Sequence, residues 1–159
     1  MSADREPNPG APREVVSGGR RSRAVRAVVF MSRLFEYECR ELGVSMAQYR
    51  MLLYLRHGPK RAGELAAQAS ITRPSLSTLI SGLERQGLVE RATVDDDRRG
   101  VRLELTSNGL AAISRIEHRF GEVFDVATRG CEHPRLTDAL DELARELTQQ
   151  IESRARANT

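Results

Sequence analysis

The fold is decided by residues 63–91, which are GELAAQASITRPSLSTLISGLERQGLVER. Apolar residues recur here at steps of three or four, which predicts a short helix over 62–69 and a second helix that begins after Thr72. Thr72 is a typical N-cap, Pro74 is tolerated in a first helical turn, and Gly87 is the residue type that ends helices. The stretch therefore predicts two helices joined by a tight turn.

After Gly87 the pattern changes from helical periodicity to alternation. Residues 88–92 are typical of a strand, and residues 101–105 alternate apolar and charged side chains, which predicts two antiparallel strands joined by a charged tip. A helix, a tight turn, a second helix and a hairpin in this order are typical of a winged helix-turn-helix. The predicted fold class is mainly α with a small β-hairpin wing.

Longer helices are predicted on both sides of this lobe. The first 19 residues are rich in Pro and Gly, which predicts a disordered tail over 1–19. We predict a dimerisation helix over 20–43, the winged helix-turn-helix lobe over 44–106, and dimerisation helices over 107–155. Helix boundaries inside this plan are predicted at residues 46–57 and, with Ser107 as the N-cap, at the start of the long helix that follows the wing.

Composition narrows the class of protein. No apolar run in the 159 residues is long enough to span a bilayer, and the first residues lack the apolar segment of a signal peptide. We therefore expect a cytoplasmic protein with no membrane partner. The formal charge is +3, and Lys60 is the sole lysine among 25 basic residues. Arginine forms forked contacts to phosphate and guanine, so this balance is compatible with nucleic acid.

Two parts of the predicted lobe have the chemistry of DNA contact. The second helix begins with the small polar residues Thr72, Ser75, Ser77 and Thr78, which are slim enough to let a helix enter the major groove. The tip, residues 95–100, is DDDRRG. Adjacent arginines on an exposed tip can enter a narrow minor groove, and a neighbouring carboxylate can hold an arginine in its extended pose.

The chain resembles the MarR family of bacterial regulators. The resemblance rests on GVSMAQYRMLLYL (43–55), residues 63–91 and DRRGVRLELTSNG (97–109). It implies a triangular homodimer in which the first and the last two helices of each protomer interlock below two DNA-reading lobes. It also implies a repressor that binds a pseudo-palindromic operator as duplex DNA.

Site residues follow from the resemblance by position. Arg99 would enter the minor groove, Asp97 would orient the wing, and Arg98 would contact a nearby phosphate. The major-groove and backbone contacts would come from the start of the second helix, at Thr72, Arg73, Pro74, Ser75, Ser77 and Thr78. Many members carry arginine where this chain has Thr78 and Gly82, so fewer base contacts are expected.

The resemblance also implies an interface between protomers and an effector pocket. The expected dimerisation residues are Val28, Phe35, Leu136, Leu140, Leu143, Leu147 and Ile151. Family members commonly respond to small aromatic acids or drugs bound where the dimer layer meets the DNA lobe. Residues that could line such a pocket here are Met31, Phe35, Tyr49, Met51 and Leu52. For any single one of them, plain core is the commoner role.

Alternatives to a DNA-binding repressor are an enzyme, a redox sensor and a protein-binding module. The chain has no nucleophile elbow, no Gly-rich cofactor loop and no close pair of metal ligands, so we expect neither an enzyme nor a bound cofactor or metal. A cysteine-based redox sensor is an alternative, with Cys39 as its thiol, although a buried thiol would be inert. A winged-helix module that binds protein rather than DNA is another. The sequence names no operator, effector or regulated gene, and repression over activation is the family default.

Overall fold

A computed structural model describes residues 19–93, 101–131 and 135–157 of the chain. Its elements in chain order are α1 (Arg20–Glu41), α2 (Met46–Leu55), β1 (Lys60–Arg61), α3 (Ala62–Ala69), α4 (Arg73–Arg85), β2 (Val89–Thr93), β3 (Val101–Leu105), α5 (Ser107–Thr128) and α6 (Leu136–Ala157). This mainly helical fold with a small antiparallel sheet confirms the predicted class. Within the described ranges, no helix is both long and apolar enough to cross a membrane.

The core lies inside the lobe formed by α2, α3, α4, the sheet and the first half of α5. Its most deeply buried side chains include Leu52, Leu65, Leu83 and Ile116, one from each of these four helices. Because each helix places an apolar stripe on this common centre, the helix-turn-helix and the wing are held as one packed unit.

Local capping sets the start and the end of α2. The Ser45 hydroxyl accepts a hydrogen bond from the Gln48 backbone N–H at 3.1 Å, and the Gln48 side chain accepts one from the Ser45 N–H at 2.9 Å. This reciprocal capping box satisfies two otherwise unpaired donors. The helix ends at Leu55 rather than at the predicted residue 57, because the chain turns at Gly58, which has φ +117°.

The sheet has three strands in the order β1-β3-β2, where the sequence predicted two. Strand β1 pairs antiparallel with β3 through Lys60 and Leu103. Two residues are too few to show alternation, so this strand left no signal in the sequence. Strand β2 begins at Val89 rather than at residue 88, because the Leu88 N–H is bonded to the Leu83 carbonyl and so completes the end of α4.

The long helices α1 and α5 lie against each other. The rings of Phe35 and Phe120 stack with centroids 4.2 Å apart, and Arg119 donates two hydrogen bonds to one oxygen of the buried Glu38 carboxylate at 2.9 and 3.1 Å. The N-cap of α5 is Thr106, not the predicted Ser107: the Thr106 hydroxyl accepts a hydrogen bond from the Gly109 N–H at 3.0 Å. Helix α6 returns along the lobe and contacts α3.

Candidate nucleic-acid interface

The N-cap residue Thr72 defines the start of α4. Thr72 is in the extended conformation, and its hydroxyl accepts a hydrogen bond from the Ser75 N–H at 3.3 Å, as predicted for an N-cap. The two hydroxyls also lie 2.9 Å apart, so they bond to each other. Pro74 lies in the first turn, where no N–H is needed. Backbone and side-chain donors are thus gathered at one helix end, an arrangement that suits a phosphate.

The outer face of α4 separates cleanly from its buried face. Leu76, Ile80 and Leu83 are buried in the core. The predicted DNA-contact residues at the start of α4 are all exposed; they are Thr72, Arg73, Pro74, Ser75, Ser77 and Thr78. Apart from Arg73 the exposed side chains of this face are short, so the helix could approach base edges closely.

The two positions where the chain departs from many family members have local explanations. The Thr78 hydroxyl donates to the Pro74 carbonyl at 3.2 Å, so it is already engaged within its own helix. Gly82 faces α2: a Cβ placed there would lie 2.7 Å from the Gln48 side-chain nitrogen. Because Gln48 also caps α2, a larger residue at position 82 would require this side chain to move.

The wing is anchored to α4 by an ion pair that the sequence analysis missed. Arg91 in β2 contacts the Glu84 carboxylate at 2.6 Å, and this hydrogen bond raises the pKa of Arg91. The two residues are seven apart, on opposite sides of the turn at Gly87, which has φ +66°. The sequence signal for this ion pair was an acidic residue before the turn followed by a basic residue in the next strand. A pair this exposed contributes orientation more than stability.

A second set of contacts joins the wing to α5. The Thr106 hydroxyl donates to the Gly87 carbonyl at 2.7 Å, and the Thr106 N–H donates to the Leu88 carbonyl at 3.2 Å. Gly109 sits directly on this carbonyl. A Cβ at position 109 would overlap the Leu88 oxygen, so a side chain is excluded without movement of the backbone.

Between α4 and the base of the wing lies a groove of about 390 Å³. Arg73, Ser77 and Arg91 line it. The predicted tip residues Asp97, Arg98 and Arg99 lie outside the described residues, so their roles stay predictions. The described part of the site is therefore a polar helix face beside the root of a hairpin, with cations at their junction.

Other predicted residues divide between core and surface. Tyr49, Met51 and Leu52 are buried, and Tyr49 makes an edge contact with Phe120. Met31 is half-buried, and Phe35 stacks on Phe120. None of the five lines the cavity of about 660 Å³ that opens on the other side of α2.

The expected dimerisation residues are largely uncovered within one protomer. Val28 is 60% exposed, and Leu143 and Leu147 are 45% and 47% exposed. Ile151 is also exposed, while Leu136 and Leu140 are half-buried. Monomeric proteins rarely expose such apolar faces along whole helices.

The two cysteines differ in environment. Cys39 is fully buried, and burial, helped by the nearby Glu36 charge, raises the pKa of its thiol. Thiolate formation is therefore disfavoured at the position of the alternative redox function. Cys131 is exposed and is not in a disulfide.

These features define a winged helix-turn-helix protein. Residues 42–100 match the model of the MarR family. The chain is 35% identical over 86 residues to the HTH-type transcriptional regulator FarR of Neisseria gonorrhoeae, covering 54% of this chain and 59% of that protein. It is 33% identical over 78 residues to the homoprotocatechuate degradative operon repressor of Escherichia coli, covering 48% and 53%. The chain thus spans little more than half the length of these curated relatives.

Solved structures match over more of the chain. The structure of NadR in complex with 4-hydroxyphenylacetate has a TM-score of 0.61 and 26% identity, covering 86% of this chain and 97% of that one. The transcriptional regulator Tm0710 from Thermotoga maritima has a TM-score of 0.60 and 27% identity, covering 83% and 94%. A MepR mutant from S. aureus, bound to an oligodeoxyribonucleotide, shares the fold, with a TM-score of 0.62, 20% identity and coverage of 84% and 96%. The chain is thus similar to MarR-family transcriptional regulators in sequence over its central part and in fold over most of its length.

Proposed function

We propose that this protein is a sequence-specific DNA-binding repressor that acts as a homodimer and responds to a small ligand. The observation that carries the proposal is the outer face of α4. A row of exposed small polar residues starts at a capped helix end and continues beside the root of the wing. This is the shape and chemistry that a major groove accepts.

The wing would supply the second set of contacts. We propose that Arg99 enters the minor groove, that Asp97 orients it and that Arg98 contacts a phosphate. The Arg91–Glu84 pair and the Thr106 hydrogen bonds fix the root of the wing relative to α4. Such fixing supports the proposal, because a minor-groove contact adds specificity only when its distance from the major-groove contact is set.

A homodimer accounts for the uncovered apolar faces. We propose that residues 20–43 and 107–155 form the dimerisation layer and that 44–106 form the DNA-binding lobe; the tail predicted over 1–19 lies, but for its last residue, outside the described residues. Apolar side chains of α1 and α6 are exposed in one protomer. A hollow of about 400 Å³ between α1 and α5 is lined partly by Leu34 and Val126. Pairing across a two-fold axis would bury these surfaces.

Repression and ligand response are supported by the relatives. A curated relative from Escherichia coli is an operon repressor, and NadR has been solved with 4-hydroxyphenylacetate. We propose the same mode here: an aromatic acid would favour a dimer whose α4 helices are wrongly spaced for the operator. By linkage, DNA would then weaken the binding of that acid by the same factor.

Selection of bound duplexes from the DNA upstream of the chain's own gene, followed by footprinting, tests the proposal. We expect a protected pseudo-palindrome whose half-sites lie about one helical turn apart. A module that binds protein instead of DNA would select no duplex. A single asymmetric footprint of under about ten base pairs would contradict the dimer on its operator.

A further inference from the structure

The end of α4 lies against the turn that joins α1 to α2. The Gln86 side-chain amide donates a hydrogen bond to the Gly43 carbonyl at 2.8 Å. One helical turn earlier, Gly82 lies on the same face of α4, and a Cβ there would stand 2.7 Å from the Gln48 side-chain nitrogen. The C-terminal half of α4 therefore meets both the α1–α2 turn and the start of α2.

The Gly43 carbonyl is itself fixed to α1. It shares a peptide group with the Val44 N–H, which donates to the Cys39 carbonyl in the last turn of α1 at 2.9 Å. The Gly43 N–H donates to the Arg40 carbonyl, also at 2.9 Å. Gly43 has φ +75°, the left-handed conformation that commonly ends a helix. One peptide group is thus bonded to α1 through its N–H and to Gln86 through its carbonyl.

Gln86 is fixed equally well at its own end. It is the C-cap of α4, its N–H donates to the Gly82 carbonyl at 3.2 Å, and Gly87 at the root of the wing follows it. The Gln86 side chain is exposed, so water competes for its hydrogen bond and the gain in stability is small. The bond instead restricts the direction of α4 relative to α1, because a shift of either helix would stretch it.

We propose that Gln86 is a positioning residue that sets the separation of operator half-sites which the dimer accepts. In the proposed dimer, α1 belongs to the layer shared by both protomers, so the angle between α1 and α4 determines the distance between the two α4 helices. Moving a half-site by one base pair shifts it by about 3.4 Å along the duplex and turns it by about 35°. An α4 released from Gly43 would follow such a shift at lower cost. This inference rests on the proposed function and deepens it.

Fluorescence anisotropy on duplexes of equal length tests the residue, with the half-sites at the selected separation or moved by one base pair either way. The readout is the ratio of affinities, because a change in protein charge or folded fraction affects all these duplexes alike. The wild type should prefer the selected separation. Gln86→Ala should lower this preference about two- to tenfold, the factor that one neutral hydrogen bond contributes.

Three further variants separate the hydrogen bond from the shape of the side chain. Gln86→Glu keeps the shape but has no donor at neutral pH, so it should lower the preference as much as Gln86→Ala. Gln86→Lys supplies a donor again and should retain the preference. Gln149→Ala removes the same side chain from an exposed position of α6, opposite Leu147, and should leave the preference unchanged.

A spin-label measurement on the free dimer makes the test independent of DNA. Labels at Ser77→Cys report the distance between the two α4 helices when the exposed Cys131 is replaced by serine; Cys39 is buried. The distance distribution should broaden in Gln86→Ala and Gln86→Glu but not in Gln86→Lys. A half-site preference or a distance distribution that Gln86→Ala leaves unchanged would overturn the inference. If the wild type binds no duplex, the proposed function fails and the label distances alone decide whether Gln86 positions α4; a monomer, with no label pair, would overturn both.

Discussion

Replacement of Gly109 by alanine should destabilise the protein although alanine is the better helix former. Gly109 lies in the first turn of α5, against the Leu88 carbonyl where β2 begins. A Cβ there would overlap the Leu88 oxygen and stand 3.1 Å from the Leu88 carbonyl carbon. Because these are backbone atoms, no side-chain rotation can relieve the clash, and α5 must move away from the wing.

The size of the effect follows from three contributions. Helix propensity favours alanine over glycine by at most about 1 kcal/mol. Overpacking of a tight site costs about 1–3 kcal/mol. Moving α5 away also strains the bonds from Thr106 to the Gly87 and Leu88 carbonyls, each of which contributes about 0.5–1.5 kcal/mol. We expect Gly109→Ala to lower the free energy of unfolding by about 1–5 kcal/mol.

Urea denaturation followed by circular dichroism measures this change. Gly121 in the same helix provides the control, because a Cβ there meets no described atom within 4 Å in this chain. Gly121→Ala should raise the free energy of unfolding by up to about 1 kcal/mol. A Gly109→Ala variant as stable as the wild type would show that α5 does not lie as close to the Leu88 carbonyl as described above. The displaced wing should also weaken DNA binding in the surviving folded fraction.

Four further variants test other parts of the protein. In the wing, Arg99→Ala should flatten the plot of log DNA affinity against log salt. Asp97→Ala should weaken DNA binding although it makes the protein more positive. If Asp97→Ala binds DNA more tightly at all salt concentrations, Asp97 is only a solvated loop residue. Leu140→Glu with Leu147→Glu should split or unfold the dimer in sedimentation, because buried carboxylates cost several kcal/mol, and an unchanged dimer would exclude this face. Burial raises the pKa of Tyr49 to about 12, from its ordinary 10.0. Below pH 10 the tyrosine is neutral in both the folded and the unfolded chain, so its ionisation does not affect stability. Between pH 10 and 12 it ionises in the unfolded chain first, so the free energy of unfolding falls as the pH rises. For the wild type this fall in the free energy of unfolding should be about 2–3 kcal/mol, and it should be absent in Tyr49→Phe. Denaturation at each pH measures the difference.

The helices of the lobe could be predicted because their signals are local. Thr72 as N-cap and Gly87 as the terminator of α4 are both confirmed. The sequence predictions were wrong where tertiary contacts decide the local structure. Thr106 rather than Ser107 caps α5, because its hydroxyl also reaches the Gly87 carbonyl. Strand β1 exists only through its pairing with β3, which residue patterns over two positions cannot reveal.

The candidate site shows the same division. Exposure of the small polar face of α4 follows from the helical period once Leu76, Ile80 and Leu83 are assigned to the core. The Arg91–Glu84 pair depends on the hairpin folding back on α4, so it is a product of tertiary structure. The hydrogen bond from Gln86 to the Gly43 carbonyl likewise joins residues far apart in sequence, which no local pattern specifies.

Fluorescence anisotropy on an operator duplex and a scrambled duplex, over a series of salt concentrations, tests the central claim most directly. The wild type should bind the operator at least about 10³-fold more tightly than the scrambled duplex, and log affinity should fall linearly with log salt. Ser77→Ala should narrow the gap between the two duplexes without changing the salt slope, because the residue is neutral and lies on the exposed face of α4. Ser114→Ala, an exposed change on α5, should do neither. Equal affinity of the wild type for both duplexes, or an operator preference that Ser77→Ala leaves intact, would contradict the account of α4 as the helix that recognises DNA.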